Sequence, residues 1–272
     1  VTGAVAPIPC AVGFHQPLVG QTSCILSDNF PPAVTVSAPL DPVKINSATT
    51  LTAMIDDSLA GDSNIDSASW TLKDTNGATL ATGTFSGSTF GSPTVTVSDT
   101  IPGQATPGVD TLCVDGTDSN GNTAESCILF VVYDPSSGFV TGGGWIDSPA
   151  GAYVADPTMT GKATFGFVAK YKKGQSVPDG NTEFQFKAGN LNFHSTSYQW
   201  LVVNQGGNNA QFKGTGTING SGSYDFMIWA TQGSKGSPDT FRIQIIDNST
   251  GQKIYDNGVG QSIGGGSIVI HK

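Results

Sequence analysis

The residues able to do chemistry in this chain are few. Gly260-Gln261-Ser262-Ile263-Gly264 has the G-x-S-x-G form of a hydrolase nucleophile. That motif needs a strand, a sharp elbow and a helix, followed by an acid and a histidine. Here the flanks are Gly-rich, only His271 follows, and no Asp or Glu lies between. No catalytic residue is assigned and the chain is not expected to be an enzyme. The three histidines, His15, His194 and His271, share no ligand spacing, and the four cysteines form no C-x-x-C pair, so zinc is not indicated. His194 reads as a core or rim residue.

Carboxylates offer more. Asp62-Ser63-Asn64-Ile65-Asp66 places oxygen ligands at alternate positions, with Asp56-Asp57 just before. An EF-hand is excluded, because Ser67 stands at the sixth position of that loop and Lys73 at the twelfth. What remains is an irregular calcium site on Asp56, Asp57, Asp62, Asn64 and Asp66, set against a plain polar loop built on Asx turns. Asp118, Asn120 and Asn122 alternate in the same way, with Thr123 and Leu129 at the two diagnostic places. Among the aromatic residues, Tyr198, Trp200 and Trp229 are candidates for stacking on an extracellular polysaccharide. Tyr198 and Trp200 would share one face of a strand by period two. The competing reading is core, since YQWLVV and FMIWA are apolar runs.

The elements that must hold these residues are strands. Charged residues make up 12% of the 272, glycine supplies 36, and short runs rich in Val, Ile, Thr and Phe alternate with Ser, Thr and Asn. No long window has helical spacing of apolar residues, so the class is all-β. No apolar run reaches the roughly 20 residues that span a membrane. Val1 onward lacks a basic start and an apolar core, which reads as a mature product or a fragment. Residues 1–134 carry 2 Lys/Arg against 13 Asp/Glu, whereas residues 135–272 carry 10 against 8. The acidic half argues against nucleic acid as a partner and permits divalent cations. Lys170, Lys172 and Lys173 read as the guard of a strand edge.

One frame occurs twice, 103 residues apart: Cys, two residues, Gly, nine residues, Ser-Cys-Ile-Leu, at 10–26 and at 113–129. In the second copy Asn120-Gly121 is a strong hairpin turn. Folding about it sets Cys113 opposite Cys127, within disulfide reach. The same arithmetic pairs Cys10 with Cys24. Upstream of the hairpin, 31–39, 48–58, 66–74, 78–85 and 93–101 read as five strands, with Trp70 directed inward. Seven strands over 31–134 suit an immunoglobulin-like or fibronectin-III-like sandwich. Residues 1–30 then read as the terminal hairpin of a preceding repeat. A lone hairpin is marginal in water. It would belong to a longer protein, pack on residues 31–134, or complete a neighbouring molecule.

Residues 135–272 hold about ten strands, too many for another seven-strand copy. They predict a larger sandwich, jelly roll or flattened barrel. The glycine triplets at 142–144 and 264–266 lie on its first and last strands, which are expected to pair there.

GFVTGGGWIDSP, GKATFGFVAKYKKG, TEFQF, LNFHSTSYQWLVV, FKGTGTING and GGGSIVIHK closely resemble a recurrent C-terminal module of large bacterial surface and secreted proteins. That module usually follows Ig-like, PKD-like or cadherin-like repeats. The turn Asp118-Ser119-Asn120-Gly121-Asn122-Thr123 resembles the last hairpin of bacterial Ig-like repeats. The resemblance implies a secreted or cell-surface location and carries no catalytic role onto these positions. Such modules cap long repeat arrays, whereas this chain holds little more than one repeat. The expected function is a structural or adhesive surface protein, a stalk end or fibre subunit. Its expected partners are neighbouring copies or upstream repeats, met through the N-terminal hairpin. The alternative is a carbohydrate-binding accessory module of a larger secreted protein.

Overall fold

The computed structural model describes residues 14–15, 25–26, 28–85 and 90–271. All its regular structure is strand apart from one 3₁₀ turn at Lys187–Gly189. No helix among the described residues is long and apolar enough to cross a membrane. The expected Cys10–Cys24 pair lies outside the described residues. Of the N-terminal hairpin, β1 (Phe14–His15) and β2 (Ile25–Leu26) are described, and they pair antiparallel.

The chain divides into two compact units. The first takes Val1–Asp41, Ala48–Pro102 and Asp110–Phe130, and the second takes Pro42–Ser47, Gly103–Val109 and Val131–Lys272. In the first, β3 (Ala33–Ala38), β5 (Thr49–Asp56) and β8 (Thr94–Ile101) form one antiparallel sheet. A second sheet runs β10 (Thr123–Tyr133), β9 (Gly108–Asp118), β6 (Ile65–Lys73), β7 (Thr79–Thr84), of which Gly108, Val109 and Val131–Tyr133 are counted with the second unit. Period-two alternation decides which side chains meet between them. Leu51, Ala53 and Ile55 of β5 and Val95 and Val97 of β8 are buried, as are Ala68, Trp70 and Leu72 of β6 and Leu112 and Val114 of β9. Trp70 is 2% exposed, and its indole Nε1 donates to Asp99 Oδ2 at 2.7 Å, so the largest ring of this core keeps its polar atom satisfied. Cys113 and Cys127 are disulfide-bonded across β9 and β10 with Cα atoms 4.0 Å apart.

The second unit begins with β4 (Val43–Lys44), which lies parallel to the last residues of β10. Its main body is one sheet of ten strands. These are β11 (Phe139–Ser148), β12 (Gly161–Tyr171), β13 (Pro178–Phe186), β14 (Leu191–Val203), β15 (Asn209–Ile218), β16 (Ser221–Thr231), β17 (Thr240–Asp247), β18 (Lys253–Asp256), β19 (Gln261–Ser262) and β20 (Gly265–His271). The sheet curls until distant strands face each other. Phe165 of β12 stacks on Phe241 of β17 with centroids 3.9 Å apart, and Phe184 of β13 meets Tyr255 of β18 at 4.8 Å. As expected, the first and last strands pair, Gly144 opposite Gly266. Gly266 has φ of 97°, and a Cβ there would run into the Gly143 carbonyl, so this seam needs glycine.

On its other side β20 meets side chains. Asp239 Oδ2 accepts from Ile268 N–H at 2.6 Å and Gln232 Oε1 from Ile270 N–H at 2.8 Å. These contacts satisfy donors that an open edge would expose.

Candidate metal centre

Three segments of the first unit converge at the end of β5 and β9. Asp57 follows β5 directly, Asp118 is the last residue of β9, and Asp28 lies on the segment leading to β3. One carboxylate oxygen from each lies within 4.8 Å of the other two. Asp57 is fully buried and Asp118 is 1% exposed.

The loop after β5 is wound around Asp57. Its carbonyl accepts from the N–H groups of Ala60, Gly61 and Asp62, and its Oδ2 accepts from Ser63 N–H at 2.6 Å. Its Oδ1 is buried with no hydrogen-bond partner. Asp118 closes an Asx turn: Oδ1 accepts from Asn120 N–H at 2.8 Å and Asn122 N–H at 2.9 Å, and Oδ2 accepts from Asn122 Nδ2 at 2.8 Å. Asn120 Nδ2 donates to Ser63 Oγ at 2.6 Å and to Asp28 Oδ2 at 3.3 Å, joining the three segments. Gly61 leaves room for Asp28, since a Cβ there would overlap the Asp28 carboxylate.

The electrostatics of the three are unequal. Burial pushes the Asp57 carboxyl above its ordinary value; the Ser63 amide opposes this, and repulsion from Asp28, Asp118 and Asp62 adds to it. Burial also acts upward on Asp28, but hydrogen bonds from Ser63, the Phe30 amide and Asn120 outweigh it and hold that carboxyl below its ordinary value.

Of the five residues expected to form a calcium site, Asp57 joins this group. Asp56 points to the other side of β5, where Oδ1 accepts from Ser58 N–H and Thr94 Oγ1, the displacement that period two imposes on adjacent residues. Asn64 presents its backbone carbonyl to Ser119 N–H, and Asp66 lies on the exposed side of β6. Asp62 bends the chain at φ of 59° and acts on Asp57 through its charge. Sequence reasoning missed Asp28 and Asp118 as partners. Their signals were the Asp118/Asn120/Asn122 alternation and the Asp28-Asn29 pair shortly before Pro31-Pro32.

The aromatic candidates in the second unit are dispersed. Tyr198 and Trp200 are 7% and 4% exposed, so they offer no stacking platform. The register of β14 against β15 slips between them, with Gln199 as the extra residue. A bulge of this kind breaks period two and puts the pair on opposite faces. Tyr198 enters the main core against Phe212 and Phe226 and its hydroxyl bonds Thr182 Oγ1. Trp200 packs with Val202, Met227, Val131 and Tyr133. Trp229 stays half-buried on the outer face, with the Arg242 guanidinium 4.2 Å from its ring centroid. His194 lies 3.6 Å from Glu183 at the rim. Ser262 sits on β19, paired with Thr240, in a strand context rather than a nucleophile elbow.

No family model matches the chain, and no curated protein matches it. Among solved structures it is similar to the cycloalternan-forming enzyme from Listeria monocytogenes in complex with pentasaccharide substrate. The identity is 13% over 82% of this chain and 19% of that one, at a TM-score of 0.26. The chain therefore spans about a fifth of that protein's length, and a likeness this shallow decides neither fold nor function for it.

Proposed function

We propose that this chain is a non-enzymatic, extracellular structural or adhesive segment. In this reading residues 31–134 form an Ig-like domain and residues 135–272 form the C-terminal module of bacterial surface proteins that their motifs resemble. The observation that carries the reading is the Cys113–Cys127 disulfide on the β9–β10 hairpin, because such bonds persist in oxidising, extracellular compartments. Polar groups used for bracing support it. Tyr255 OH donates to buried Ser148 Oγ at 2.8 Å, and Asp256 gathers Arg242, Gln244 and Lys253. Negative-stain electron microscopy of the protein as its source releases it tests the proposal. Ordered filaments or stalks at a cell surface are expected; dispersed molecules that turn over a substrate would overturn it.

A second reading is a carbohydrate-binding accessory module. Trp229 favours it: a half-exposed indole on the outer face, opposite Gln211 and Arg242 in the ladder, with Gln244 two pairs along. Calorimetric titration with polysaccharides should then show heat that Trp229→Ala abolishes. Absence of heat with the native protein would sink this reading.

A further inference from the structure

We propose that Asp28, Asp57 and Asp118 bind a divalent cation, Ca²⁺ by preference, that fastens the segment entering the first unit to the loops after β5 and β9. Two independent observations lead there. The first is the geometry of three carboxylates whose oxygens lie within 4.8 Å of one another. The second is Asp57 itself, fully buried, with Oδ1 lacking any donor. A buried carboxylate without a counter-charge is strongly disfavoured unless something neutralises it.

Among the described residues of the first unit no Lys or Arg side chain is placed to do so. Across Val1–Asp41, Ala48–Pro102 and Asp110–Phe130, Lys73 is the sole Lys or Arg. It ends β6, whereas Ile65, which pairs with Asp118, begins it. At about 3.3 Å per residue the length of β6 keeps that ammonium more than 20 Å away along the strand. With no Lys or Arg within reach, the geometry favours neutralisation by a bound cation or by a proton on Asp57.

The donor set selects the ion. All three ligands are hard oxygens on separate loops, with Ser63 Oγ and the Asn120 amide adjacent. Zinc favours nitrogen and sulfur, and Mg²⁺ demands a tight octahedron while retaining water. Ca²⁺ takes oxygens at about 2.3–2.6 Å in flexible geometry, so ligands across it stand up to about 5 Å apart, which matches the spacing here. Asp28 is the distinctive partner. It belongs to the incoming segment just before Phe30-Pro31-Pro32, so loading the site fixes how the chain enters the sandwich.

The experiment uses the full 272-residue chain, stripped with chelator and titrated with CaCl₂, followed by calorimetry and thermal melting. One saturable site per chain is expected, in the range of about 10⁻⁴–10⁻³ M that extracellular modules show. At a hundredfold excess over Kd, melting of the first unit should rise by on the order of 10 °C. Asp57→Asn removes the buried charge and keeps the shape, so it should fold, bind no Ca²⁺ and melt at or above the stripped wild type. Gly61→Ala, which displaces Asp28 without removing a ligand, should weaken binding at least tenfold. A Ca²⁺ shift that persists in Asp57→Asn would place the ion elsewhere and overturn the assignment. No shift in the wild type, together with a more stable Asp57→Asn, would identify Asp57 as a buried neutral acid instead. An equal response to Mg²⁺ would overturn the preference for calcium.

Discussion

Asp57 in the first unit and Asp256 in the second are both buried carboxylates, and their surroundings are opposite. Asp256 receives Arg242 Nε at 3.0 Å, Lys253 Nζ at 2.9 Å, Gln244 Nε2 at 3.0 Å and the Gly258 amide at 2.8 Å. Burial alone would raise its carboxyl, but these donors pull it far below the usual carboxylate range. Asp57 has the Ser63 amide and two more carboxylates. The second unit carries its own counter-charges, whereas the first concentrates acid with almost no base. One unit supplies donors and cations to its buried carboxylate, and the other leaves Oδ1 of its buried carboxylate without a partner. That difference follows from the uneven distribution of Lys and Arg along the chain.

The largest way to break the contrast is Arg242→Met. It leaves Asp256 buried with fewer donors and strips the cation from Trp229, so the second unit should lose about 3 kcal/mol. Calorimetric scanning should show its transition falling while that of the first unit stays in place. Acid sharpens the contrast next. Burial raises the Asp110 carboxyl to about 6, and the charge of Asp74 adds to this. An acid raised in the folded state stabilises most below its unfolded value, and that contribution disappears as pH climbs through 6. In chelator, melting of the first unit should therefore improve by about 2 kcal/mol from pH 7 to pH 4, and Asp110→Asn should remove most of that gain. Asp256 is depressed, so its contribution is present above about pH 4 and fades in stronger acid, weakening the second unit where the first is strongest. Two transitions moving together with pH would refute the comparison. The smallest effect is local to the first core: Trp70→Phe forfeits the bond to Asp99 and should cost about 1 kcal/mol, read by urea titration.

Much of the strand pattern was legible because its physics is local. Alternation in TTLTAMID, IDSASWTLK and TVTVSDTI states which side chains face inward, and burial follows it at Leu51, Ala53, Ile55, Trp70 and Val97. The Cys113–Cys127 pair followed from one hairpin turn. The seam between β11 and β20 followed from glycine triplets, which permit the close backbone approach seen there. Tyr198 and Trp200 were misplaced because period two holds only while the ladder is regular, and one extra residue on β14 inverted the outcome. The carboxylate cluster was half legible. Asp57 came from its loop, but Asp28 and Asp118 lie 29 and 61 positions away along the chain, beyond any local spacing rule.

By itself, then, the sequence determines the all-β character, the inward faces of regular strands, the hairpin disulfide and the shortage of base in the acidic half. These depend on backbone geometry and composition over a few residues. Only the tertiary structure decides that Asp28, Asp57 and Asp118 meet, that Asp256 collects two cations, and that Tyr198 and Trp200 part. Each of these depends on which loop ends are brought together and how each ladder is registered, and both are settled by packing across the whole unit.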